Sequence, residues 1–169
     1  MNQPAATIKE KILGDMVAAI AEHDWRATYE LLSLARAIED PEQRADVFNN
    51  LLLMPGHELH QEVTREIQKL RSPSSIPYLR KVLASGFPML EYTCAEPEVI
   101  AKWFSHALAD INTPEAIAVI REFASSNEPG VAEEMAYRLR RFDRFRPSPS
   151  CFMTAMLPGR DASRNADQH

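Results

Sequence analysis

Glycine, cysteine and long apolar runs are all scarce in this chain, and each shortage removes a class of protein. There are five glycines in 169 residues. Tight hairpin turns depend on residues that accept positive φ, so this count argues against a β-sandwich or barrel. Two cysteines, Cys94 and Cys151, lie 57 positions apart with no second pair. That pattern fits free thiols in a reducing compartment, not a disulfide scaffold or a thiolate metal site. No window approaches ~18 uncharged apolar residues, the length a membrane-spanning helix needs. The opening residues MNQPAATIKEKILGD lack the apolar stretch of a secretory leader. Together these absences predict a cytoplasmic protein that does not engage a membrane. Basic charge is also short over most of the chain. Residues 1–137 carry 21 acidic and 12 basic side chains, whereas residues 138–169 carry 3 and 7. An acidic body repels phosphate backbones, so nucleic acid is not the expected partner.

Catalytic patterns are equally thin. The glycines are isolated (Gly14, Gly56, Gly86, Gly130 and Gly159), which leaves no phosphate-cradling loop. His57 and His60, with Glu58 and Glu62 beside them, carry donor types that can hold a metal, but no HExxH spacing accompanies them. Histidines at a helix start are the plainer reading. Neither cysteine sits in a nucleophile motif. Adjacent carboxylates such as Glu133-Glu134 and Glu39-Asp40 point in different directions on a helix and read as solvated faces and caps. No catalytic residue, cofactor or metal is therefore expected, and the chain is not read as an enzyme.

What the sequence does contain is one phrase written twice. SPSSIPYLRKVLAS (residues 72–85) and TPEAIAVIREFASS (residues 113–126) share a hydroxyl residue, a proline and hydrophobic positions in step, 41 residues apart. At that same offset, Leu59, Val63, Ile67 and Leu70 fall onto Ile100, Phe104, Leu108 and Ile111. Steps of four, four and three place each set on one helical stripe. Val131, Met135, Leu139 and Phe142 repeat the spacing after 31 residues, and Ala27, Leu31, Ala35 and Ile38 give a weaker upstream copy. Caps and breakers then predict helices over about residues 7–22 and 24–38. The next starts at Asp40-Pro41 and stops at Pro55-Gly56, its partner runs to Leu70, and further starts follow at Ser72-Pro73 and Thr113-Pro114. The offset shortens from 41 to 31 because GFPMLEYTCAE adds about ten residues in one link, including Phe87, Met89, Leu90, Tyr92 and Cys94. Such insertions often gather on a binding face. The alternative is that these apolar residues tuck back over a neighbouring helix.

Helix pairs of this length cannot bury their apolar faces alone, and stacking them produces an α-solenoid. TPEAIAVIREFASSNEPGVAEEMAYRLRRF resembles the short HEAT-like repeat known from phycobilisome-lyase relatives, with its Pro-started helix, short polar link and apolar stripe. The resemblance covers residues 72–142. It implies an all-α fold, a short α-solenoid of about four antiparallel helix pairs over residues 1–146; the Pro, Ser and polar composition of residues 147–169 separately predicts a disordered tail.

A solenoid directs attention to equivalent positions beside the apolar stripe of its second helices. Glu62, Trp103 and Glu134 form one such set, Arg65, His106 and Tyr137 a second, and Lys69, Asp110 and Arg141 a third. Stacked, they make a grid of mixed charge around an aromatic centre, the composition that protein interfaces favour. Trp103 also fits as a widening of the buried stripe, and His106 as an ordinary surface histidine. With Phe87 and Tyr92 from the inserted link, the grid supplies the candidate partner-binding residues. The arginines at 138, 140, 141, 144 and 146 complement the negative end of the last helix. The expected partner is another protein, with a basic toxin domain first among candidates because an acidic body steers basic targets. HEAT-like proteins are similar in kind to some bacterial immunity proteins, which implies occlusion of a toxin's active site. An adaptor or assembly factor, or a HEAT-like DNA-binding glycosylase, are the alternative readings, and the oligomeric state stays open.

Overall fold

The computed structural model describes residues 6–145, the side chains of 143–145 excepted. The predicted tail at 147–169 and Arg146 lie outside the described residues. Among those described, all regular structure is helical: α1 (Ile8–Ala21), α2 (Trp25–Arg36), α3 (Pro41–Leu52), α4 (His60–Leu70), α5 (Ile76–Ser85), α6 (Pro97–Ile111), α7 (Pro114–Phe123) and α8 (Pro129–Phe145). Two short 3-10 turns, Pro73–Ser75 and Pro88–Thr93, precede α5 and α6.

Helix starts follow the capping chemistry written in the sequence. Thr7 and Glu10 form a reciprocal capping box, each side chain accepting from the other's backbone N–H. Asp24, Asp40 and Thr113 accept from backbone N–H groups of the first turns of α2, α3 and α7. In α3 and α7 a proline fills the first position, where a missing donor costs little. At the other ends, Arg71, Gly86 and Asn112 turn the chain through left-handed backbone after α4, α5 and α6, with φ of 53°, 74° and 53°.

Consecutive helices pack on one another as α1 with α2, α3 with α4, α5 with α6, and α7 with α8. Across these pairs, α4 packs on α6 and α6 on α8, while α5 packs on α7 and α1 on α3. α6 thus touches α4, α5, α7 and α8, and Phe104, Ala107 and Leu108 along it are fully buried. α8 runs parallel to α6. Gly130 abuts Glu98 at the first turns of both helices, and further along Glu134 and Arg138 both reach Ser105.

Three apolar stripes lie where the spacing of four, four and three predicts them. Leu59, Val63 and Ile67, Ile100, Phe104, Leu108 and Ile111, and Val131 and Met135 are buried, with Leu70, Leu139 and Phe142 half-buried at the ends. In α2 Ala35 is buried as the stripe predicts, but the first two fully buried positions fall one residue later than expected. Thr28, Leu32 and Ala35 face the core and Leu31 is only partly buried, because Thr28 turns its hydroxyl inward onto the Trp25 carbonyl. The inserted link is an ordered plug rather than an open loop. Phe87 is 5% exposed and stacks on Phe104 with ring centres 5.9 Å apart, and Leu90 is fully buried. Residues at φ of 65° (Phe87) and 50° (Cys94) close the 3-10 turn at both ends.

Candidate interaction surface

The site is best built outward from α6, whose polar edge lies between α4 and α8. On the α8 side, Ser105 and Glu134 are buried and joined by a hydroxyl-to-carboxylate hydrogen bond at 2.5 Å. Arg138 donates to the same Glu134 oxygen at 2.8 Å and to Ser105 Oγ at 3.3 Å. A buried carboxylate is tolerable only when paired and hydrogen-bonded, and this triad satisfies both conditions. It fixes how α8 lies on α6.

Above the triad is a cleft of about 320 Å³ lined by Lys102 and His106 from α6 and by Tyr137, Arg140 and Arg141 from α8. Tyr137 is exposed, and its phenol oxygen accepts from Arg141 at 3.2 Å. That bond, followed by the positive charges of Arg141 and Arg138, holds the phenol below its ordinary pKa. The guanidinium groups of Arg138 and Arg140 sit 5.9 and 6.0 Å from the ring centre, within cation–π range. His106 is held below the usual imidazole value first by burial and then by Arg138, so it stays neutral near pH 7.

On the α4 side, a groove of about 340 Å³ is lined by Gln61, Thr64, Arg65 and Gln68 of α4 and by Lys102, Trp103 and His106 of α6. Gln68 donates to Asp110 at 2.6 Å across the helix pair. Trp103 packs its ring partly on the core and leaves the remainder on the groove wall. Lys69 and Arg36 both pair with Glu66, at 2.8 and 3.1 Å, linking α2 to α4.

At the start of α4 lies a histidine pair. His57 and His60 are buried and stacked, with ring centres 4.0 Å apart. His57 Nε2–H donates to Leu51 O at 2.8 Å and Nδ1 accepts from Leu59 N–H at 3.1 Å. His60 Nε2–H donates to Met54 O at 3.1 Å, while its Nδ1 and its backbone N–H meet the Tyr92 hydroxyl, both at 3.3 Å. This network assigns both rings the neutral tautomer protonated at Nε2. Burial lowers both pKa values, that of His60 to about 3 with help from neighbouring His57. Every ring nitrogen is committed, and the rings close carbonyl groups around the end of α3. Among the described residues no group of three or more His, Cys, Asp or Glu is placed to hold a metal.

The sequence-predicted residues therefore separate into three groups. Arg65, Trp103, His106, Tyr137 and Arg141 line the two adjoining grooves, with Lys69 and Asp110 on the same helices. Glu62 and Tyr92 belong with the start of α4. Phe87 and Glu134 are buried rather than exposed: Phe87 packs in the core, and Glu134 lies at the wall of the α6–α8 cleft with its carboxylate engaged by Arg138 and Ser105. Lys102 and Gln68, which line the grooves, were passed over because they fall outside the sets of three equivalent positions. Trp25 and Tyr29 were also missed, and both are exposed, at 41% and 54%. An aromatic pair four residues apart on a weakly apolar helix was the available signal. No family model, curated protein or solved structure matches the chain.

Proposed function

We propose that the protein is a short α-solenoid of about four stacked helix pairs that works without catalysis, by binding another protein. Its most specific form is an immunity-type bacterial protein that sequesters a toxin and occludes the toxin's active site. One observation carries this reading: the polar and aromatic side chains from Arg65 through Trp103 and His106 to Tyr137 and Arg141 line two adjoining grooves across α4, α6 and α8. The parallel approach of α8 to α6 suits a stacked array, and aromatic and Arg side chains over a rigid helical layer are favourable interface anchors. The buried triad beneath Tyr137 holds that layer in one geometry, so binding orders little that is not already ordered.

Affinity purification of the tagged protein from its host tests the proposal. The expected result is one partner in one-to-one stoichiometry that resists high salt, is toxic when expressed alone, and is released at least tenfold faster by Trp103→Ala with His106→Ala. Several substoichiometric partners replace the antidote role with that of an adaptor. Recovery of nucleic acid in place of protein removes the reading altogether.

A further inference from the structure

Large apolar side chains left in water cluster at the N-terminal end of the molecule. Trp25 and Tyr29 lie four residues apart on one face of α2, 41% and 54% exposed. Arg36, two turns beyond Tyr29 on that face, pairs with Glu66, so this side of α2 is turned toward α4. Tyr92, 37% exposed, is pinned over the start of α4 by its two hydrogen bonds to His60. Its phenol lies within electrostatic reach of Tyr29, Glu58 and Glu62. Burial first of all, then those carboxylates, raise the phenol's pKa, so it stays a neutral aromatic. Among the described residues neither Glu58 nor Glu62 takes part in an ion pair. The α2 cations Arg26 and Arg36 are engaged elsewhere, with Glu30 at 2.9 Å and Glu66 at 3.1 Å.

We infer that this patch of three aromatic rings and two unpaired carboxylates is a docking site for an arginine-bearing segment of a partner protein. The chemistry selects the occupant. A guanidinium stacks on an aromatic face and forms paired hydrogen bonds with a carboxylate, and here both are offered together. An anionic ligand meets Glu58 and Glu62 as like charges. An apolar helix covers the rings but leaves the carboxylates desolvated and unpaired. A second copy on a two-fold axis brings the same carboxylates against each other, which is a repulsive arrangement. The rigid hold of His60 on Tyr92 adds preorganisation, since one of the three rings is fixed before any partner arrives.

The assignment deepens the protein-binding reading and rests on it for the class of partner. A peptide titration keeps the two separable, because it can succeed or fail whether or not a toxin is found. Trp25 and Trp103 are the only tryptophans, so Trp103→Phe leaves Trp25 as the sole reporter. The probe is a synthetic peptide of alternating glycine and arginine, with alternating glycine and glutamate as its control. The expected result is a saturable change in Trp25 fluorescence with the arginine peptide and none with the glutamate peptide. Affinity falls at least fivefold in Glu58→Gln with Glu62→Gln, and by a similar factor in Tyr29→Ala. These are surface changes, and unchanged helicity and urea midpoint establish that the variants fold. Equal response to both peptides, no response, or affinities unaffected by the variants overturns the assignment. So does concentration-dependent dimerisation in sedimentation that Tyr29→Ala abolishes, which identifies a second copy as the occupant.

Discussion

Two buried histidines are the residues whose chemistry depends most on the fold. His57 and His60 are neutral because both ring nitrogens of each are used, and because burial disfavours the charged form. Their folded pKa values lie below the unfolded value of about 6.5. As pH falls through 6.5 the unfolded chain takes up protons at these sites while the folded chain does not, so stability is fully present above that pH and is lost below it. For His60 the loss continues toward its folded value of about 3. For His60 the slope in that window is about 1.4 kcal/mol per pH unit, and His57 adds to it in the same direction. Urea unfolding followed from neutral pH to about pH 5 measures it. His60→Gln keeps a donor near the Met54 carbonyl but cannot titrate, and its slope below pH 6.5 is expected to be shallower by about one histidine's share. A His57 or His60 imidazole titrating near 6.5 in the folded state, read by NMR, contradicts the prediction.

Helix boundaries were the most legible part of this protein, because caps act within four residues. Thr7 with Glu10, Asp24, Asp40 with Pro41, and Thr113 with Pro114 each mark a start that the structure realises. Burial of individual side chains was less legible, since it depends on partners far along the chain. Glu134 looks like a solvated acid until Ser105, 29 residues away, is placed beside it. Phe87 in the inserted link reads either as a binding residue or as one tucked back over a helix, and only the position of Phe104, whose ring it stacks on, decides for the second. The one-residue error in α2 arose because Thr28, a polar residue, is buried with its hydroxyl satisfied locally. How closely two elements approach also escapes a single sequence, and Gly130 is the sharpest case. A Cβ added there lies 2.9 Å from Glu98 N and 3.3 Å from Glu98 Cα, where backbone cannot yield cheaply. Gly130→Ala is therefore expected to destabilise by about 1–3 kcal/mol, the range for overpacking, although alanine favours helix more than glycine does. Gly14 serves as the control within a helix, because a Cβ there meets nothing within 4 Å. Gly14→Ala is expected to be neutral or stabilising by up to about 1 kcal/mol. Urea midpoints that shift equally in the two variants refute a close approach of α8 to α6.

At the scale of the whole molecule, the contact pattern sets how damage spreads. α1 and α2 pack on each other and on α3, whereas α6 is enclosed by α4, α5, α7 and α8. In a stacked array stability is close to a sum over neighbouring units, so an end opens without the middle. Ile12 in α1 and Phe104 in α6 are both fully buried. Truncating either leaves a cavity worth about 2–5 kcal/mol. The two losses are expected to distribute differently. Ile12→Ala should raise amide exchange across α1 and α2 and leave the amides of α6 and α8 near their original protection. Phe104→Ala should lower protection across α4, α5, α6 and α8 together, because its ring also supports Phe87 and the inserted turn. Hydrogen exchange resolved by segment makes the comparison directly. Uniform loss of protection in both variants describes one cooperative globule and removes the array from the proposed function, while an end-localised response in Ile12→Ala supports it. The distinction matters for binding, because the aromatic and carboxylate patch lies where α2 faces α4. An array that loosens at its first pair would tune that patch while leaving the grooves over α6 intact, so urea concentrations that open α1 and α2 should weaken arginine-peptide binding before any change reaches Trp103.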